Sequence, residues 1–423
     1  MDTGISSPQE KATGALTSEE SEGTSPRSRW LNILALVAGL ATMVLGPLAG
    51  GLFILLSLIG GPVADVVSVT TIGFSMATLS LGLGGALAWA GYRGLRECPS
   101  RPFRPGMSWV WGCLAGLGLT LIVGQVILSF GLLAPVTFPL FHVLGITIPA
   151  ILMLILVAQG LKHINPAPTQ RQMIGQMAWG AFGTTAVAFT LEVLAAAVGL
   201  VVVIVIVAFT PGGLAQLNEF QTMLADPAQL QDPQTLARWL LKPAILLPVA
   251  VLLIVVAPLI EEAAKSLGVP LLAWGTGRKP SPAQGWLWGI AVGAGFAITE
   301  GLFNSAASLP FWAAIALLRV GATAMHMLTA GLTGRGWART LTSRRPLPFL
   351  GSYLASVTLH GLWNAMTVLI VVSSLLTMVQ PGDAFRITGE GLAIVVGVAG
   401  LALLIATIVG VTTYVTLKVK RNA

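Results

Sequence analysis

The chain has 423 residues, of which 55% are hydrophobic and only 9% are charged. A soluble globular domain carries about 25% charged residues, so this composition excludes a water-exposed surface over most of the chain. The high apolar content also excludes disorder outside short segments, and two cysteines are too few for a disulfide scaffold. The composition indicates a protein that crosses the membrane several times.

Long apolar runs alternate with short polar breaks from Trp30 onward. A helix that crosses ~30 Å of hydrocarbon needs about 20 apolar residues. The fifth and sixth runs are longer than one span requires, which predicts a tilt, a kink or an extension beyond the bilayer, and Pro258 and Pro270 would permit breaks in the sixth. The predicted fold class is an all-α, polytopic membrane helix bundle of about ten transmembrane helices, at residues 31–58, 67–91, 108–133, 137–161, 174–209, 243–274, 284–306, 310–333, 349–378 and 391–417.

Basic residues lie in alternate loops, and this distribution explains the formal net charge of +7. The positive-inside rule places the basic loops and both termini in the cytoplasm, so the charge does not indicate a nucleic-acid partner. Two histidines and seven tryptophans near the span ends are expected in the interfacial layer: His142, His163, Trp109, Trp111, Trp179, Trp239, Trp274, Trp286 and Trp288. The basic segments are loops 92–107, 162–173, 275–283 and 334–348 and the C-terminus, and the loops without Lys or Arg are 59–66, 134–136 and 307–309. The remaining alternate loops, 210–242 and 379–390, contain few basic residues, mixed with Glu219, Asp226, Asp232 and Asp383.

The predicted organisation has four parts. Residues 1–29 are polar and predict a disordered cytoplasmic tail, and residues 30–242 contain about five spans that form an accessory region. Residues 243–378 hold four spans, and residues 379–423 add the last span and a basic cytoplasmic C-terminus. Because Arg outnumbers Lys and the composition is rich in Ala and Gly, the predicted location is a bacterial cytoplasmic membrane.

Polar and ionisable residues crowd into the sixth to ninth runs, although each charge in a spanning helix costs at least ~2.5–3.5 kcal/mol. Apart from Glu262, which is adjacent to Glu261, they are spaced four or seven residues apart within a run, which puts them on one face of the helix. We expect the four polar faces to converge on one hydrated cavity, because lipid would penalise them. The residues are Glu261, Glu262, Lys265, Glu300, Asn304, Arg319, His326, His360 and Asn364.

Two kinds of chemistry suit such a cavity. Carboxylates and imidazoles can activate a water molecule by general acid–base catalysis, while Lys265 and Arg319 hold one carboxylate ionised or stabilise an oxyanion. Alternatively, His326, His360 and one glutamate can bind zinc and leave a coordination position open for water. The residues themselves leave both alternatives open.

Four motifs follow one another on successive apolar segments: EEAAK at 261–265, FAITE at 296–300, the pair Arg319 and His326, and HGLWN at 360–364. This order resembles the PrsW family of intramembrane proteases, which is related to the CAAX prenyl endopeptidases and bacteriocin-processing enzymes. The resemblance covers roughly residues 243–375. Glu300 stands where the CAAX-processing branch typically has His, which favours PrsW.

The resemblance implies hydrolysis of peptide bonds within or near the membrane, with residues 243–378 as the protease core. It implies membrane-bound substrates such as anti-sigma factors, and a divalent metal such as zinc as cofactor. Under this hypothesis Glu261, Glu262, His326 and His360 are catalytic, and Glu261, His326 and His360 are the metal ligands. The supporting residues are Lys265, Glu300, Asn304, Arg319 and Asn364.

Other interpretations stand beside these assignments. Adjacent helix residues point about 100° apart, so we do not expect Glu261 and Glu262 to face the same point, and Glu262 is either catalytic or a structural partner of Lys265 or Arg319. Glu192 belongs to no motif and is left outside the predicted site.

A secondary or proton-coupled transporter is the competing function, because buried carboxylates and broken helices also suit it. The polar residues lie in four consecutive spans and not in corresponding positions of two halves, which argues against a transporter. A catalytically silent scaffold that binds membrane partners is the third possibility.

Overall fold

The computed structural model describes residues 26–59, 66–131, 133–226, 229, 232–307, 309–379 and 389–421. Within these ranges the chain is almost wholly helical and forms no β-strand, and ten helices are long and apolar enough to cross a membrane. The predicted all-α, ten-span membrane fold is therefore confirmed. Most of the predicted N-terminal tail, residues 1–25, lies outside the described residues.

The helices are numbered here in chain order, and α6 and α7 are short helices in the connection between two spans. Their bounds are α1 Pro26–Ile59, α2 Val66–Leu95, α3 Ser108–Phe130, α4 Ala134–Gly160, α5 Gln170–Ala208, α6 Gly213–Ala225, α7 Pro233–Leu240, α8 Pro243–Thr276, α9 Pro282–Asn304, α10 Trp312–Ser343, α11 Leu347–Val379 and α12 Gly389–Arg421.

Helix α9 is the centre of the bundle and is far more buried than any other spanning helix of the described residues. Its first turn is fixed by a capping box, in which Ser281 Oγ accepts from the Gln284 amide and the Gln284 side chain accepts from the Ser281 amide. A β-carbon at Gly289 or Gly293 would collide with the backbone of α10. These glycines let the α9 and α10 backbones touch, as small residues do in membrane proteins.

The interfacial placement is wrong for His142, Trp239, Trp286 and Trp288, whose side chains are buried, whereas Trp109, Trp111 and Trp274 are exposed. The indole of Trp286 donates to Thr416 Oγ1 over 3.2 Å. His142 Nε2 lies 2.9 Å from the Leu302 carbonyl, and its Nδ1 accepts from a tryptophan of α10. Trp286 and Trp288 belong to α9, which other helices enclose over most of its length, and His142 of α4 packs against α9, so these three rings contact protein and not headgroups.

The two long spans, α5 and α8, are irregular, as their lengths predicted. Each contains a π-helical turn, at Trp179–Thr184 in α5 and at Leu252–Val256 in α8. The turn in α8 comes just before Pro258, which has no N–H to donate, and the helix breaks again at Leu267, three residues before Pro270. These interruptions isolate the segment Ala257–Ser266, which carries the first polar motif.

Candidate active site

Lys265 lies at the centre of the polar cluster, and its side chain is fully buried. Its Nζ lies 2.8 Å from Glu262 Oε1, 3.2 Å from Glu261 Oε2 and 2.9 Å from His326 Nδ1. An ammonium group has three N–H donors, so all of them are satisfied. The ring of Phe296 covers the same nitrogen with its centroid 4.2 Å away. These contacts replace the hydration that a cation loses when it is buried.

Glu261 and Glu262 both face this cluster, so the expectation that they point to different places is wrong. Lys265 follows them by four and three residues and therefore lies between their two directions on the helix. His360 is also shared, because its Nδ1 lies 2.9 Å from Glu262 Oε1 and its Nε2 lies 3.9 Å from Glu261 Oε2. The partner of Glu262 is thus Lys265, as one interpretation held, and not Arg319.

Glu300 is the centre of a second set of contacts on α9 and α10. Its Oε2 lies 2.7 Å from Arg319 Nη2 and 2.6 Å from His326 Nε2. Its Oε1 accepts from Asn304 Nδ2 over 3.0 Å and from Arg319 Nη1 over 3.3 Å. Arg319 therefore neutralises Glu300, and His326 joins this set to the Lys265 cluster.

The contacts of the two histidines define which ring nitrogens keep a lone pair. An ammonium group can only donate, so His326 Nδ1 accepts from Lys265 and the proton of a neutral ring is on Nε2, facing Glu300. His360 Nδ1 faces the carboxylate of Glu262, so its proton is there and Nε2 keeps the lone pair. Each imidazole is oriented by one carboxylate.

Asn364 does not join this network, although its spacing from His360 predicted that it would. Its Nδ2 donates over 2.8 Å to the Leu253 carbonyl, which belongs to the π-helical turn of α8. The π-helical turn disturbs the regular backbone hydrogen bonding, and Asn364 satisfies one of its carbonyl groups. The residue therefore holds α11 against α8, while the other eight predicted site residues form one connected set.

Glu192 lies beside the cluster and was missed from the sequence. It interacts electrostatically with Glu261, Lys265 and Glu300, and its Oε1 is buried without a hydrogen-bond partner among the described residues. The second half of α5 packs against the Ala257–Ser266 segment, which brings Glu192 to the edge of the site. A carboxylate within a span was the available signal, because such residues are functional candidates by default.

The residues present fit a divalent metal ion. Glu261, His326 and His360 each offer one ligand atom within 4.8 Å of the others, and all three are buried. Two histidines and one glutamate are the ligands of known catalytic zinc sites, whose histidines are usually hydrogen-bonded to a carboxylate. Glu262 and Glu300 provide those carboxylates. Lys265 must withdraw from His326 if this histidine is to bind through Nδ1.

Comparison with known proteins identifies the family. The family model described as "PrsW family intramembrane metalloprotease" matches residues 168–382, which is about half of the chain and includes Glu192 and every predicted site residue. A search of curated proteins found no match. No solved structure matched either. With ten helices in the described residues that are long and apolar enough to cross a membrane, and with its buried Glu/His cluster, the chain is a membrane-embedded protease and belongs to the PrsW family of intramembrane metalloproteases.

Proposed function

We propose that this protease hydrolyses a peptide bond of a membrane-associated protein with a water molecule that Glu261 activates. The observation that carries the proposal is the accessibility of this carboxylate within the buried network. The Glu261 side chain is 11% exposed and accepts one hydrogen bond from Lys265, whereas Glu262 is fully enclosed. Glu300 is more exposed, but Arg319, Asn304 and His326 engage both of its oxygens.

The proposed reaction uses Glu261 as a general base and then as a general acid. As the water oxygen attacks the carbonyl carbon, its proton passes to Glu261. The same proton is then delivered to the amide nitrogen as the carbon–nitrogen bond breaks. Lys265 favours the ionised form of Glu261 before the attack, because its ammonium group lies 3.2 Å from Oε2. Its contacts with Glu261 and Glu262 make Lys265 the group that neutralises these two carboxylates.

His326, His360 and one oxygen of Glu261 would hold the divalent ion, leaving the second oxygen of Glu261 to act as the base, and zinc suits these ligands. When bound, the ion supplies Lewis acidity for the carbonyl group and lowers the pKa of a coordinated water. The chain's own contribution is orientation. Glu262 fixes the ring of His360, Glu300 fixes the ring of His326, and Arg319 neutralises Glu300.

The proposed substrates are membrane-bound regulatory proteins of the anti-sigma type, and the proposed location is a bacterial cytoplasmic membrane with both termini in the cytoplasm. Support for a substrate that arrives through lipid comes from α5, which exposes a continuous apolar surface beside the site. Residues 243–378 would form the protease core and residues 30–242 the accessory region, whose last spanning helix, α5, brings Glu192 to the site.

The test is cleavage of a panel of tagged single-span membrane proteins in liposomes. Wild type, Glu261→Ala and His360→Ala are compared, each with and without a chelator. The proposal predicts cleavage by wild type alone and its loss in chelator. Equal cleavage by all three proteins would contradict the assignment of the site, and ion-driven flux without cleavage would favour a transporter.

A further inference from the structure

An apolar cleft of about 450 Å³ lies on the far side of α10 from the candidate active site. It is formed by α4, α9, α10 and α12, and its volume is within the range of about 300–1,000 Å³ that is usual for small-molecule sites. The active-site residue His326 and the cleft residue Leu328 are two positions apart on α10 and therefore face opposite directions. Residues that line the cleft include Leu156, Gly160, Ala324, Leu328, Thr413 and Leu417.

Basic residues lie where this cleft reaches the end of the bundle that carries the basic loops. Arg335 follows Leu328 by seven residues, which places it on the cleft face of α10 two turns further along. Arg335 is within electrostatic range of Arg339 and Tyr414, and the Tyr414 hydroxyl lies 3.2 Å from Lys418 Nζ. The basic mouth, defined as Arg335, Arg339 and Lys418, is thus shared by α10 and α12.

The charge of this mouth is not neutralised within the described part of the chain. No ion pair joins Arg335, Arg339 or Lys418 to a carboxylate there. The Nε of Arg335 is buried and has no hydrogen-bond partner among the described residues. A buried guanidinium N–H without a hydrogen-bond acceptor costs free energy. The site therefore suits a ligand that brings an acceptor for this N–H.

We propose that the cleft binds an anionic phospholipid, with an acyl chain between α4 and α12 and the phosphate at the basic mouth. The apolar lining suits a hydrocarbon chain, and the charge selects a negative headgroup over a zwitterionic one. Basic pockets between transmembrane helices are known to bind anionic headgroups, and each Lys or Arg contributes about 1 kcal/mol near an anionic surface. The lipid would contact both α12, which lies outside the family match, and α10 of the protease region, and would thereby stabilise their association.

The test uses native mass spectrometry of the full chain in detergent, equilibrated with equal amounts of phosphatidylglycerol and phosphatidylcholine of identical acyl chains. We expect wild type to retain phosphatidylglycerol preferentially. The double change Arg335→Gln with Arg339→Gln should lower this preference by about fivefold for each arginine, as the energy for one basic group implies. Arg335→Lys with Arg339→Lys should keep the preference, which separates loss of charge from loss of folding.

Two further variants make the test specific. Arg344→Gln with Arg345→Gln removes the same charge from two exposed arginines just beyond α10 and should change nothing. Thr413→Phe fills the cleft and should reduce retention of both lipids. Equal loss of preference in both glutamine pairs would overturn the proposal, because binding would then follow the overall charge. Unchanged retention in Thr413→Phe would overturn it as well.

Discussion

The imidazole rings of His326 and His360 meet edge to face, with centroids 4.9 Å apart and planes at 90°. They come from α10 and α11, and each is held by a different carboxylate, Glu300 for His326 and Glu262 for His360. Because one nitrogen of each ring is occupied by its carboxylate, the other nitrogen is left as an acceptor. The structure therefore presents two imidazole nitrogens with lone pairs beside the carboxylate of Glu261, and one of them, His326 Nδ1, becomes available to a metal when Lys265 withdraws.

This relationship predicts the metal content of the protein. Purified wild type should bind one divalent ion per chain, and His326→Ala or His360→Ala should bind none at the same free metal concentration. Glu262→Gln should weaken the affinity by about 10–100-fold, since a carboxylate behind a ligating histidine fixes its tautomer. The measurement is a metal titration followed by elemental analysis. Equal metal content in wild type and both alanine variants would contradict the ligand assignment.

Lys265 is predicted to be essential for stability as well as activity. Lys265→Met leaves the carboxylates of Glu261 and Glu262 buried without their cation, which should lower the free energy of unfolding by about 3–5 kcal/mol. Adding Glu262→Gln to the same chain should restore part of this loss, because one uncompensated charge is removed. Thermal unfolding in detergent measures both effects.

The control for that experiment is Lys242→Met, which removes a more exposed ion pair with Glu219. A surface pair of this kind is worth at most about 1 kcal/mol, so the unfolding temperature should hardly change. If Lys265→Met and Lys242→Met were equally stable, the Lys265 ammonium group would not be the group that neutralises Glu261 and Glu262.

Gly293 is predicted to set the distance between α9, which carries Glu300, and α10, which carries His326. A β-carbon there would collide with the backbone at His326, so Gly293→Ala must push α10 away from α9. We expect a loss of about 1–3 kcal/mol in stability and a larger loss of activity, because His326 and Glu300 would separate. Gly118→Ala, on an open face of α3, should be neutral or stabilising. Similar behaviour of both variants would show that this close approach has no role.

The proposed topology predicts which positions can be labelled from outside the cell. In a chain with Cys98→Ser and Cys113→Ser, a cysteine in place of Leu214, which is exposed on α6, should react with a membrane-impermeant maleimide on intact cells. A cysteine in place of Arg344 should react only after the membrane is opened. The reverse pattern would place the basic loops outside and overturn the assignment of both termini to the cytoplasm.

Much of the site could be predicted because, in a regular helix, the sequence spacing of two residues fixes whether their side chains point in the same direction. The intervals Glu261–Lys265 and Glu300–Asn304 place these residues on common faces, and the structure joins each pair. Where the helix is irregular, the same rule fails. Asn364 is correctly spaced from His360, yet the π-helical turn of α8 offers it the Leu253 carbonyl.

The remaining errors come from tertiary packing, which spacing does not contain. Trp286 looked interfacial because it is near the end of an apolar run, but α9 is enclosed by other helices. Glu261 and Glu262 leave the backbone in different directions, yet both carboxylates contact Lys265 and His360, which lie between them. Glu192 reaches the site only because α5 packs against α8.

The most direct test of the account is the rate at which Glu261→Gln cleaves a membrane substrate that wild type cleaves, measured in liposomes under single-turnover conditions. Gln keeps the size of Glu and an oxygen for Lys265 but cannot accept the proton of water. The rate should be about 10²–10⁴-fold below wild type with near-native thermal unfolding, while Glu219→Gln keeps the full rate. A Glu261→Gln rate within about threefold of wild type would contradict the proposal that this carboxylate activates the water.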